Sequence, residues 1–254
     1  MTILRETSNV ITMSRRELQQ RWAALAAAGA FGLVPVVAAA FWPSVQANAR
    51  MVGVAEFLAA QAIAALMGLG LIGDDLASGR MGWYFSRPLS GFAIWAGKLG
   101  GAGALAIAAT FVMTVPAMFL VRPREGLLVG TPLGAAGFIV CPLLFVGAGA
   151  VGGIIARART GWRLLDLGCV VTFGPLVAWA SQRIHAAAGG ARSDFFGPAV
   201  LLVMTGALLA ASAAGVMIGR ADARRAHVAV SLTLWGILVP AEAALLGYVS
   251  TLPT

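Results

Sequence analysis

The chain has 254 residues, of which 59% are hydrophobic and only 11% charged, and its mean hydropathy is +0.87. A soluble domain carries roughly 25% charged residues, so this chain cannot cover a globule of its size with a solvated surface, and its hydrophobicity excludes disorder. The net charge of +8 would suggest a nucleic-acid partner in a soluble protein; here the basic residues fall in short gaps between apolar runs, so the expected partner is membrane lipid, with no nucleic acid.

Residues 1–21 carry Leu4, Ile11 and Leu18 at seven-residue intervals, with Arg5, Asn9, Arg15 and Arg16 mostly elsewhere. That spacing keeps one helical face apolar. A basic amphipathic helix leading into a span predicts an interfacial helix on the cytoplasmic leaflet, with 22–254 as the transmembrane domain.

A membrane-crossing helix needs ~20 mostly apolar residues. Seven stretches approach that length: 22–42, 52–73, 99–121, 133–156, 164–181, 198–219 and 228–249. They do not alternate apolar and polar residues as barrel strands do. The fold class expected is an all-α polytopic helical bundle of about seven transmembrane helices. Lys and Arg concentrate on the cytoplasmic side of such bundles. Placing the N-terminus inside puts thirteen of the eighteen basic residues in cytoplasmic segments, and none inside a span. The C-terminus is then outside.

Two stretches, Gly68-Leu-Gly70-Leu-Ile-Gly73 and Gly147-Ala-Gly149-Ala-Val-Gly152, satisfy the dinucleotide pattern G-x-G-x-x-G. That fingerprint works only between a strand and a helix. Inside apolar helices the same small residues let backbones approach closely, so helix packing is the reading taken. The two histidines, His185 and His227, fall in gaps on opposite sides of the membrane, and no H-E-x-x-H pair or Gly-x-Ser-x-Gly elbow is present. Cys141 and Cys169 sit in apolar runs with neither disulfide nor metal spacing. The chain is not expected to be catalytic alone, and no cofactor or metal is expected in it.

Three acidic residues fall within the spans: Glu56, Asp166 and Glu242. A charge at mid-membrane costs at least ~2.5–3.5 kcal/mol, so such groups are usually paired or line a cavity. Glu56 and Asp166 lie about one turn from a membrane face and read as anchors. Glu242 lies deeper, as a polar spot on a transport route or a protonated group bonded to a neighbouring helix.

The most informative polar stretch is 74–98, between spans two and three. It opens on Asp74 and Asp75, carries Arg80 and Arg87, shows Trp83, Tyr84 and Phe85, and closes at Lys98. Aromatics among charges of both signs suit a docking surface with anchor residues and a polar rim. They equally suit an interfacial aromatic belt with snorkelling arginines.

The stretch from Asp75 through Gly79, Ser86-Arg87-Pro88-Leu89-Ser90 and Gly97-Lys98 resembles the region between spans two and three of ABC-2-type transporter permeases. Arg16-Glu17-Leu18, on a helix leading into span one, resembles that family's opening. Gly91 stands where the family often has an Arg, and the stretch 228–249 is extra to its six-helix plan, as an added span or a re-entrant segment. The resemblance implies the permease subunit of an ATP-driven exporter in a bacterial cytoplasmic membrane. It would pair with a second permease copy or homologue and with cytoplasmic ABC ATPase subunits that hold ATP and Mg. It also implies ATPase coupling through Asp74, Asp75, Gly79, Arg80, Trp83, Phe85, Arg87, Pro88 and Lys98. The cytoplasmic gaps are too short for an ATPase domain of their own. The alternative is a membrane scaffold or assembly factor of the same fold without a transported substrate.

Overall fold

The computed structural model describes residues 2–42, 44–45, 48–120, 132–158, 160–188 and 190–252. Helices in chain order are α1 (Thr2–Phe41), α2 (Ala49–Leu69), α3 (Gly73–Ala77), α4 (Arg80–Phe85), α5 (Gly91–Met118), α6 (Pro132–Ala158), α7 (Arg163–Ala188), α8 (Gly190–Gly219) and α9 (Ala223–Ser250). Among the described residues six segments are long and apolar enough to cross a membrane: Glu6–Phe41, Ala49–Ala77, Gly91–Met118, Ala136–Ala158, Phe196–Gly219 and Ala223–Ser250. The protein is therefore a multi-pass helical membrane protein. The stretch 228–249, extra to the six-helix plan, is one of these six. The stretch 164–181 forms most of α7, and some of its side chains, Cys169 included, lie outside the described residues, as do Arg122, Arg124 and Arg159.

Local sequence sets the helix ends. Ser90, in extended backbone, caps α5 by accepting a hydrogen bond from the Ala93 amide at 3.0 Å, and Asp222 caps α9 by accepting from the Arg224 and Arg225 amides. Each cap satisfies helix-end donors that would otherwise be orphaned. Gly79 takes a left-handed conformation, φ 72°, which glycine adopts without steric cost. It turns the chain sharply between α3 and α4.

The expected N-terminal element differs in one respect. Residues 2–41 form a single helix with Pro35 as its only proline, about 60 Å long at 1.5 Å per residue, so the expected interfacial piece and the span are continuous in one helix. Ile11 and Leu18 are exposed, whereas Met13 and Glu17 are buried. At Ile11 and Leu18 the apolar stripe faces away from the bundle, and the opposite, more polar face packs on α5. An added Cβ on Gly97 would meet Val10 and Met13, on Gly101 Ser14 and Glu17, and on Gly32 Val112 and Met113. The pairs advance together, so α1 and α5 run parallel.

The glycine motifs pack against each other. A Cβ on Gly68 would collide with Val146 backbone, one on Gly149 with Ala65 and Leu69 backbone, and one on Gly153 with Leu69 backbone. Phe57 and Phe138 meet edge to face with ring centroids 5.4 Å apart at the far end of the same pair, so α2 and α6 are parallel as well.

Helix α7 runs parallel to α9 over nearly its full length. Near its start Trp162 lies against Trp235, centroids 5.5 Å apart, and Asp166 meets His227. Near its end Ala180 and Ile184 share an apolar cluster with Val249. Helix α8 is antiparallel to α9, with Gly215 against Val230 and Gly219 against Ala226. One apolar core spans α2 to α9, from Leu71, Ile72 and Ile94 to Val216, Val230 and Leu238.

Candidate functional site

The stretch 74–98 folds as α3, α4 and the first two turns of α5, and its residues divide into an interior and an exterior set. Asp75 and Lys98 are interior, 4% and 3% exposed. The Lys98 ammonium lies 2.7 Å from Asp75 and 2.8 Å from Glu17 of α1, and donates to the Leu71 carbonyl at 3.2 Å. Glu17 is itself 2% exposed and accepts from Arg21 at 3.0 Å, while Arg21 also donates to the Met67 carbonyl at 3.0 Å. Arg80 reaches Asp75 at 3.3 Å from the surface. Five charged groups thus bind α1, α2, α3, α4 and α5 together at one end of the bundle. Asp74 adds α6 through its ion pair with Arg157.

Burying a lone ion costs several kcal/mol, and an ion pair in the interior holds only when geometry and further hydrogen bonds compensate. Lys98 meets that condition with two carboxylates and a carbonyl. It corrects the expectation that no Lys or Arg lies inside a span: α5 starts at Gly91, so Lys98 sits on its second turn and faces inward. The expected coupling residues Asp75 and Lys98 are braces inside the protein.

Exterior to the braces are Gly79, Arg80, Trp83, Arg87 and Pro88, all exposed, with Asp74. Trp83 is 47% exposed, and the Arg87 guanidinium stacks over it 3.8 Å from the ring centroid. Of the three aromatics expected at the surface, two are not there. Tyr84 is buried, with Lys98 Nζ 5.5 Å and the Arg16 guanidinium 5.9 Å from its ring centroid, and Phe85 is half-buried against the core. A one-turn helix must place neighbouring side chains on different sides. A cavity of about 310 Å³ lies between this segment and α1, lined by Asn9, Thr12, Met13 and Arg16 on one wall and Trp83, Tyr84, Arg87, Pro88 and Leu89 on the other.

The three intramembrane acids stand apart from one another. Glu56 is buried on α2 with Oε2 unpartnered, and Glu242 on α9 has Oε1 buried and unpartnered. Asp166 was expected as an anchor and is instead a buried partner. His227 Nε2 lies 2.6 Å from its Oδ2, and Ser231 Oγ donates to the same oxygen at 3.1 Å. Thr160 bonds the other ring nitrogen of His227. His227, assigned from sequence to a gap, lies in the first turns of α9 and is fully buried.

The sequence assigned no role to Glu17 or His227, nor to Arg21, Arg157, Thr160 and Ser231, which complete these clusters. His227, Ser231 and Trp235 recur every four residues, which puts them on one face of a helix, and that spacing was the available signal. For Glu17 the signal was only its place on the polar side of a helix that elsewhere carries mostly arginine. Among the described residues no cluster of His, Cys, Asp and Glu has metal-binding geometry.

No protein-family model matches the sequence, and neither a curated protein nor a solved structure is significantly similar to it.

Proposed function

We propose that this chain is the membrane subunit of an ATP-driven exporter of ABC-2 type, and that α3 and α4 receive the ATPase. The observation that supports this reading is the brace behind the exposed residues. Trp83 and Arg87 stand outside on α4, and Asp75, Lys98 and Glu17 tie the same short segment to α5 and α1. A push on the exposed side is thereby delivered to two long helices through charged contacts that cost several kcal/mol to separate. Cytoplasmic ABC ATPase subunits would supply ATP and Mg, and a second permease copy or homologue would complete the translocation path.

The reading includes seven spans, with the N-terminus cytoplasmic and the C-terminus outside, in a bacterial inner membrane. Its support is the packing: α1 with α5, α2 with α6 and α7 with α9 are parallel pairs, as strict alternation of seven crossings requires. The packing of α7 along α9 from Asp166 to Ile184 supports a crossing by α7 as well.

The test is co-purification from native membranes with mass spectrometry, followed by pull-down of the ATPase so identified with Trp83→Ala, Phe85→Ala and Arg87→Ala. An anchor residue costs ~2 kcal/mol or more when truncated, roughly thirtyfold in affinity. Trp83→Ala is expected to show that loss, and Arg87→Ala a smaller one, because exposed ion pairs contribute ~0–1 kcal/mol. Phe85→Ala is expected to act through stability, since its ring packs inward. Unchanged association in all three variants, with normal insertion, removes the coupling reading. Association without substrate-stimulated ATPase activity favours the scaffold.

A further inference from the structure

Four helices line a half-open cavity that the coupling segment does not touch. It measures about 500 Å³ and lies between α6, α7, α8 and α9, within the range of roughly 300–1,000 Å³ typical of small-molecule sites. Its wall is mostly apolar, with Ala148, Met204 and Leu238 far from the turn between α6 and α7, and Arg163, Asp166 and Trp235 near it. Two of the residues that line it carry a polar atom buried without a partner: Asp166 Oδ1, an acceptor on a side chain 4% exposed, and Trp235 Nε1, a donor. Buried polar atoms of native proteins are overwhelmingly hydrogen-bonded, so an orphan acceptor and an orphan donor on residues beside one cavity point to a ligand that serves both.

The charge around the site selects the ligand's head group. The other oxygen of Asp166 is already held by His227 and Ser231. Arg163, whose Nε and Nη2 donate to the Ile155 and Ala156 carbonyls, faces the same space. A cationic head would oppose the guanidinium, and an anionic head would oppose the carboxylate. A hydroxyl suits both orphans, since it donates one hydrogen bond and accepts others. The apolar remainder of the wall, about two turns of α6 from Ile155 to Ala148 or roughly 10 Å, suits an alkyl chain.

We infer that the cavity between α6, α7, α8 and α9 binds a neutral amphipath, an apolar chain ending in a single hydroxyl, with the hydroxyl donating to Asp166 Oδ1 and accepting from Trp235 Nε1. The inference does not rest on the transporter reading, because it concerns binding to this chain alone.

The experiment uses the detergent-purified full chain and a diazirine-bearing fatty alcohol, with the matching alkane and fatty acid probes in parallel. Saturable labelling of α6 to α9 by the alcohol, displaced by unlabelled fatty alcohol, is expected. The alkane and acid probes should label at least fivefold less. Trp235→Phe keeps an aromatic ring against Trp162 while removing the donor and trimming the ring, and should weaken labelling by about fivefold, of the order of losing one neutral hydrogen bond. Leu208→Trp, which narrows the cavity, should weaken it, and the competition curve on the unmodified chain gives a result if that variant does not fold. Equal labelling by alcohol and alkane, labelling that does not saturate, or labelling unchanged in Trp235→Phe overturns the inference. Each of these reads binding without an ATPase and is therefore separate from failure of the pull-down.

Discussion

Lys98 on α5 and Asp75 on α3 lie 2.7 Å apart with both side chains buried, so the second turn of the third span is locked to an acidic residue at the end of the second. The pair fixes the angle at which the short helices meet the long ones. Glu17 makes it a three-group contact.

Replacing the central cation should be the most damaging single change at this end of the molecule. Lys98→Met leaves the buried Glu17 and Asp75 carboxylates with only Arg21 and Arg80 as counter-ions, and breaking a buried ion pair costs about 3–5 kcal/mol. A large drop in thermal unfolding midpoint in detergent is expected. Adding Glu17→Gln and Asp75→Asn to Lys98→Met should recover much of it, because the uncompensated charges go. No recovery would show that the lysine's packing, rather than its charge, holds the site.

The second glycine motif offers an internal control. A Cβ at Gly149 meets Ala65 and Leu69 backbone, which cannot rotate away, whereas a Cβ at Gly152 meets nothing within 4 Å. Gly149→Ala should therefore destabilise by roughly 1–3 kcal/mol through overpacking. Gly152→Ala should be neutral or stabilise by up to about 1 kcal/mol, since alanine is the better helix former. Fluorescence-detected thermal melts of the two variants side by side check this.

The buried contact of Asp166 with His227 should appear as a coupling between α7 and α9. Directly bonded residues show interaction energies of about 0.5–3 kcal/mol in double-mutant cycles. Asp166→Asn, His227→Gln and the pair together, measured by chemical denaturation, should give a value in that range. A value of zero would mean that Ser231 and Thr160 carry the contact.

Topology is tested by chemistry at two introduced cysteines in a background lacking the native ones. Ser86→Cys should react only from the cytoplasmic side and Ser193→Cys only from outside. A reporter fused after Thr254 should be active outside. A cytoplasmic signal there reduces the crossings to an even number and would require α7 to enter and leave by the same face.

The spans were readable because burial in lipid needs only long apolar runs: the run 198–219 lies within helix Gly190–Gly219, and most of the run 99–121 lies within helix Gly91–Met118. The packing of Gly68 on Val146 and of Gly149 on Ala65 was readable as a composition of small residues, though not as a pairing of the two motifs with each other. What sequence could not supply was which side of a polar residue is occupied. Asp75 and Lys98 look like surface charges in a gap, because the contacts that bury them, Lys98 with Asp75 and with Glu17, join residues far apart in the chain. Tyr84 and Phe85 look exposed beside Trp83 for a similar reason, since the direction of each ring depends on where a one-turn helix after Gly79 points. His227 was set outside its span because a histidine lowers local hydropathy, and only Asp166 across the helix pair makes its burial acceptable.

The parallel packing of α1 on α5 has a consequence for the order in which the protein is made. Helix α1 leaves the ribosome first, yet its main partner begins only at Gly91. At synthesis rates of about 5–20 residues per second, the first helix waits in the bilayer for several seconds with its glycine-facing side uncovered. During that interval Glu17, and later Asp75, are made before the lysine that neutralises them. The nascent chain is therefore most vulnerable between the second and third spans. Lys98 acts as the latch that ends this interval, joining the earliest part of the chain to the part that has just arrived.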